Sequence, residues 1–206
     1  MLETIERLRR GEKSLIVCIG DSITEQNYHI HGYLNYVGLF SEKLINTFGR
    51  KQFVFNTGMS GGTTTSVLAR LEQDALRFKP DLITVMLGIN DAKGGEENVP
   101  QFNRQMLAII EAIRNNRSEM LLLTQNYVDF ESESAADVRR SYPHYVKAIR
   151  AIAASHQVPL CDIHRKWKDS IENNYSLHLK LMNDGLHPNE HGHQFIADTL
   201  FEYLGI

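Results

Sequence analysis

Apolar residues along this chain follow two rhythms. Short β-branched and aliphatic runs occur at Leu15 to Ile19, Phe53 to Phe55, Leu82 to Leu87, Met120 to Leu123 and Val158 to Ile163. Such runs, bounded by Gly, Pro, Asn or Asp, predict strands buried on both faces. Between them, apolar positions recur every three or four residues, which predicts amphipathic helices. These faces are Val37, Phe40, Leu44 and Phe48; Val67, Leu68, Leu71 and Ala75; Phe102, Met106, Ile109, Ile110 and Ile113; Tyr142, Tyr145, Ile149 and Ile152; and Phe195, Ile196, Leu200 and Tyr203. Leu2, Ile5 and Leu8 mark a short leading helix. Gly49 ends the second helix, Pro80 closes the region of the third, Pro143 starts or kinks a later one, and Asn189 caps the last. The segment from Trp167 to Leu181 reads as helical in part, and Glu25 to Gly32 and Asp129 to Asp137 read as polar loops.

Strand and helix alternate through most of the chain, with no internal repeat, low-complexity tract or linker. The pattern predicts one α/β domain over residues 1–206: a doubly wound, five-stranded parallel sheet with helices on both faces, in the flavodoxin-like order 2-1-3-4-5.

Composition narrows the function. A net charge of -3 with 23% charged residues leaves no footprint for a polyanion, so nucleic acid is not an expected partner. Cys18 and Cys161 lie inside apolar runs and read as small buried hydrophobes rather than a disulfide. The leading segment is charged and amphipathic, without an apolar stretch of signal-peptide length, and no later segment is long enough to span a membrane. A cytoplasmic protein is the expectation.

Polar constellations sit where the sheet would present them. Gly20-Asp21-Ser22 follows the first strand, Gly58 to Thr65 follows the second, and Gly88-Ile89-Asn90-Asp91 follows the third. In an open parallel sheet these carboxyl ends share one edge, where ligands bind. Asp184-Gly185-Leu186-His187, just before the last helix, can be brought to the same edge. Together they hold the parts that acyl transfer needs. Ser22 is a weak nucleophile until a base takes its proton, and a histidine such as His187 is the side chain suited to that role. Asp184, three residues before it, can hold the other ring nitrogen. The N–H groups of Ser22 and Gly61, with the Asn90 amide, can form an oxyanion hole.

These blocks, in this order and spanning Gly20 to Pro188, resemble the four motif blocks of the SGNH hydrolases, the GDSL esterases and lipases. The first block has Ile23 where the eponymous motif has Leu. The resemblance implies a Ser22–His187–Asp184 triad, an oxyanion hole of Ser22, Gly61 and Asn90, a three-layer α/β/α sandwich, and no cofactor. Asp21, as an orienting hydrogen-bond group, and His29 and Asn126 are the candidate substrate-binding residues. His31 and Tyr33 are pocket or surface residues. The substrate is expected to be a small-molecule ester with a short acyl group, acetyl first, on a polar alcohol or sugar. The loops at the catalytic edge are polar, and no apolar segment is left over for a lid or acyl tunnel. A longer-chain lipase, lysophospholipase or thioesterase of the same family is the alternative.

Three further readings complete the set. His187, His191 and His193 do not form a metal site, because Pro188 and Asn189 interrupt the helical spacing. His191 and His193 are read as solvated, Trp167 as partial core, and Asp91 as a brace for its own loop. The Gly58 to Thr65 turn at a helix N-terminus suits a phosphate, which makes a non-catalytic phosphate- or nucleotide-binding module the non-enzyme alternative.

Overall fold

The computed structural model describes residues 2–25, 30–130 and 138–206. Five parallel strands, β1 (Ser14–Gly20), β2 (Gln52–Asn56), β3 (Leu82–Met86), β4 (Glu119–Leu123) and β5 (Leu160–Cys161), form one sheet in the order β2-β1-β3-β4-β5. The order and the parallel pairing are those expected from the sequence. β1 sits between its neighbours, with Cys18 opposite Asn56 on one side and Thr84 on the other.

Side chains alternate across this sheet and divide the core in two. Val17, Ile19, Ile83, Val85 and Leu122 face one layer, made by α3 (Thr64–Asp74), α4 (Val99–Asn115) and α5 (Tyr142–Ser155). Ile16, Cys18, Leu82, Met86, Leu121 and Leu123 face the other, made by α1 (Glu3–Arg9), α2 (Tyr36–Phe48), α6 (Ile163–Ile171) and α8 (Glu190–Leu204). A shorter α7 (Tyr175–Leu181) leads toward α8. The result is a three-layer α/β/α sandwich. β1 and β3 are covered on both faces, which is why their sequences are almost continuously apolar.

The local signals act as their chemistry dictates. Asn35 caps α2 by accepting from the Gly38 N–H, and Gly49 ends that helix at φ 70°. Thr63 and Ser66 form a reciprocal capping box on α3. Pro143 lies in the first turn of α5, so it starts the helix rather than kinking it. Cys18 and Cys161 are free and buried, and burial pushes both thiols up to about 12.

Three expectations need correction. The fifth strand is much shorter than Val158 to Ile163: Asp162 accepts from the Arg165 N–H and starts α6 at Ile163. Trp167 is wholly rather than partly core, its Nε1 donating to His178 Nδ1 at 3.1 Å. His193 is buried rather than solvated, because it shares the inner face of α8 with Ile196, Ala197 and Leu200. Its ring stacks on Tyr36, and its Nδ1 accepts from the Tyr36 N–H.

Candidate active site

The turn after β1 carries Ser22, half-buried at the carboxyl edge of the sheet. The turn is tightly held. The Asp21 carbonyl accepts from the Thr24 and Glu25 N–H groups, and the Asp21 carboxylate accepts from the Ile23 N–H. From outside, Asn35 and Asn56 donate to the Thr24 carbonyl. Gly20 must be glycine, since a Cβ there would lie 2.0 Å from Thr24 Oγ1.

His187 comes to Ser22 from the loop between α7 and α8. Its Nε2 lies 3.0 Å from Ser22 Oγ, although the two residues are 165 apart in sequence. Its Nδ1 lies 2.8 Å from Asp184 Oδ2. The other Asp184 oxygen accepts from the Leu186 and His187 N–H groups at 2.7 and 2.6 Å. Burial alone would raise the Asp184 pKa, but the His187 ring and these two N–H groups outweigh it and hold the carboxyl well below the usual range. The loop is closed at its neck. Met182 bridges to Pro188, the Asn189 N–H donates to Leu181 O, and Asn189 Nδ2 donates to Lys180 O and Met182 O. Asn189 Oδ1 also caps α8, so one side chain fixes both the loop and the helix after it.

The turn after β2 lies against the turn after β1. The Met59 N–H donates to Gly20 O, and Arg70 donates to both Thr57 O and Gly20 O. Gly61 is exposed at φ 74°, and its N–H and that of Ser22 donate to no group among the described residues. The turn after β3 places Asn90, only 6% exposed, beside Asp21. Asn90 Nδ2 donates to Asp21 Oδ2 at 3.0 Å and to Gly62 O at 3.3 Å. Ser22, Gly61 and Asn90 thus occupy one edge of the sheet, as the strand order requires, and the loop before α8 brings Asp184 and His187 to it.

The substrate-binding expectations fare differently. Asp21 is wholly buried, and its carboxylate accepts from Ile23, Asn90 and Gln125, so it is structural rather than substrate-facing. Burial pushes its pKa up to about 6. Asn126 is also wholly buried. Its Nδ2 donates to Leu186 O at 3.2 Å, which braces the His187 loop instead of meeting substrate. His29 lies outside the described residues. His31 and Tyr33 are exposed, and Asp91 braces a neighbour rather than its own loop by accepting from the Thr64 N–H and Oγ at the start of α3. His191 is exposed on the first turn of α8, away from the Ser22–His187 contact.

Two further residues at the site hold roles that the sequence did not assign. Gln125 is wholly buried and joins two turns, donating to Asp21 Oδ2 and accepting from the Ile89 N–H. Arg139 is nearly buried, and its Nη2 donates to Asn90 Oδ1 at 3.3 Å. The place of Gln125, just past the end of β4, was its one available clue. Arg139 had none, because its loop returns to the site only through the tertiary fold.

A five-stranded parallel sheet of this order between two helical layers is a flavodoxin-like α/β fold, and Ser22, His187 and Asp184 meet at its carboxyl edge. The chain belongs to the GDSL-like lipase/acylhydrolase family, whose profile matches residues 18–195, and it is a carboxylic ester hydrolase. It is 25% identical to an acetylxylan esterase of Geobacillus stearothermophilus over 97% of this chain and 96% of that protein. It is 27% identical to thioesterase 1/protease 1/lysophospholipase L1 of Escherichia coli K12, over 95% of this chain and 86% of the other. A crystal structure of an acetylxylan esterase from Geobacillus stearothermophilus superposes with a TM-score of 0.78 at 22% identity, covering 95% of this chain and 96% of that one. Family membership sets aside the non-catalytic phosphate-binding alternative. Among the described residues, no helix is long and apolar enough to cross a membrane.

Proposed function

We propose that this enzyme is a serine esterase that removes short acyl groups, acetyl first, from a small polar alcohol or sugar. The observation that carries the reading is the continuous hydrogen-bonded line from Ser22 Oγ through His187 to Asp184, at 3.0 and 2.8 Å. His187 Nε2 takes the Ser22 proton as Oγ attacks the ester carbonyl, and returns it to the departing alcohol. Asp184 holds the ring with Nδ1–H toward the carboxylate and stabilises the imidazolium. The negative charge on the carbonyl oxygen is met by the Ser22 and Gly61 N–H groups and by the Asn90 amide. Of the two Asn90 donations, the longer and weaker one, to Gly62 O at 3.3 Å, is the one an adjacent oxyanion would share. Water activated by His187 then releases the acid from the acyl-enzyme.

The acetyl preference draws support from the polar loops at this edge and from the name of the acetylxylan esterase relative. A second reading, a longer-chain thioesterase or lysophospholipase, draws support from the Escherichia coli relative at comparable identity. Two measurements test both levels. Fluorophosphonate labelling should be complete in the parent and absent in Ser22→Ala, and full ester hydrolysis by folded Ser22→Ala would end the serine mechanism. Across acetyl, butyryl, octanoyl and palmitoyl esters, kcat/KM should fall with chain length. Each methylene buried in an acyl groove would instead favour the long esters by about 0.8 kcal/mol, and a steady rise would put the second reading first.

A further inference from the structure

Asn90 is held at both ends of its carboxamide by oppositely charged partners. At one end Nδ2 faces the Asp21 carboxylate, 3.0 Å away and wholly buried. At the other end Oδ1 accepts from the Arg139 guanidinium at 3.3 Å. Gln125 fixes the Asp21 side of this chain by donating to the same carboxylate oxygen, and its own Oε1 accepts from the Ile89 N–H. The result is a buried polar line, Gln125–Asp21–Asn90–Arg139, with the Asn90 amide in the middle.

A primary amide has two nearly isosteric ends, and only one of them donates. A flipped Asn90 would set its oxygen against the Asp21 carboxylate and its NH₂ group against the Arg139 cation, both repulsive in a buried site. We propose that Arg139 is a positioning residue for the oxyanion hole. By donating to Oδ1 it locks the amide with Nδ2 toward Asp21 Oδ2 and Gly62 O and draws electron density away from that nitrogen, which makes it a stronger donor. This rests on the oxyanion role given to Asn90 above. The guanidinium also lies in the field of the Asp21 and Asp184 carboxylates, which partly offsets the cost of its own burial.

Arg139 acts here through Asn90, not on the substrate, and that fixes the test. Arg139→Met removes the donor and keeps the bulk of the stem, and Arg139→Lys keeps a charge without the planar fork. Each is compared with the parent, with Asn90→Ala and with the corresponding double variant, kcat and KM being read separately. Loss of a whole oxyanion donor costs about 10²–10³ in kcat, so Asn90→Ala should fall in that range. Arg139→Met should lose about 10- to 100-fold in kcat with KM nearly unchanged, and Arg139→Lys should lie between it and the parent. In the Asn90→Ala background neither Arg139 substitution should lower kcat further, because there is no amide left to position. Equal losses in both backgrounds, or a loss expressed in KM, would overturn the positioning role while leaving the oxyanion reading intact. A parent-like kcat in Asn90→Ala would instead remove the oxyanion reading and this inference with it. Should Arg139→Met fail to fold, the Arg139→Lys cycle decides on the same criteria.

Discussion

At the scale of single residues, the proposed mechanism separates groups that would react from groups that hold. Asp184 shows how one carboxylate divides its two oxygens between these tasks. Oδ1 shapes the loop through two backbone N–H groups, and Oδ2 faces the His187 ring. Asp184→Asn leaves an oxygen for the backbone and turns an NH₂ group on Nδ1, so it selects the wrong imidazole tautomer with the loop kept. The expected result is a fall in kcat of about 10⁴, with the thermal midpoint close to the parent's. A fall in midpoint with kcat preserved would assign Asp184 to the loop alone. Asp21 is the converse case. Its position in the Gly-Asp-Ser block suggested a role toward substrate, yet it is wholly buried, and its carboxylate accepts from Ile23, Asn90 and Gln125.

At the scale of elements, the site depends on how the turns after β1 and β2 interlock. Gly58 lies outside the reacting groups, but a Cβ there would stand 2.4 Å from Glu25 N and 2.5 Å from Thr24 C, both backbone atoms. Neither can swing aside as a side-chain tip would. Gly58→Ala should therefore cost about 1–3 kcal/mol of stability and also lower kcat, by pushing the Gly61 turn away from Ser22. Urea unfolding and steady-state kinetics on the same preparation check this, and an unchanged midpoint would show that the turns are separable. The elements themselves were largely legible, because β1, β3, α4 and α5 carry long unambiguous patterns. β5 is shorter than its apolar run because Asp162, a plausible strand residue by pattern, caps α6 instead. The polarity of His193 points it outward, whereas its spacing from Ile196, Ala197 and Leu200 places it on the buried face of α8. The motif residues at the strand ends could be read because strand order places them. Arg139 and Gln125 could not, because their roles lie in side-chain bonds between distant turns.

At the scale of the whole molecule, buried titratable groups tie stability to pH in opposite directions. His164 is nearly buried between Tyr127 and Tyr142, and burial, reinforced by Arg150, pushes its pKa down to about 4. Its unfolded value is 6.5, so the unfolded chain binds the proton first. The stability it gives is present above 6.5 and is lost as pH falls toward 4. Asp21 runs the other way: its folded pKa is pushed up to about 6 from 3.8, so its contribution is present below 3.8 and lost as pH rises through 6. A bare pH profile mixes the two. Comparing the parent with His164→Gln at pH 7.5 and pH 4.5 isolates the histidine. The stability lost by the parent between these values should exceed that lost by the variant by on the order of 2–3 kcal/mol. Parallel losses would show that His164 is not the group that titrates.

The closed loop between Leu181 and Asn189 has a consequence for the order in which activity is acquired. Its bonds are local, so the entropy of closing it is that of a very short loop, whereas joining His187 to Ser22 closes a span of 165 residues. Closing the His187–Asp184 loop therefore costs far less chain entropy than bringing His187 to Ser22. What remains is the seating of α8, through Ile196, Ala197, Leu200 and the His193–Tyr36 stack, on the layer beside β1. Regain of esterase activity in refolding should therefore track the seating of this helix, and its local detachment should take His187 and Asp184 away from Ser22 together.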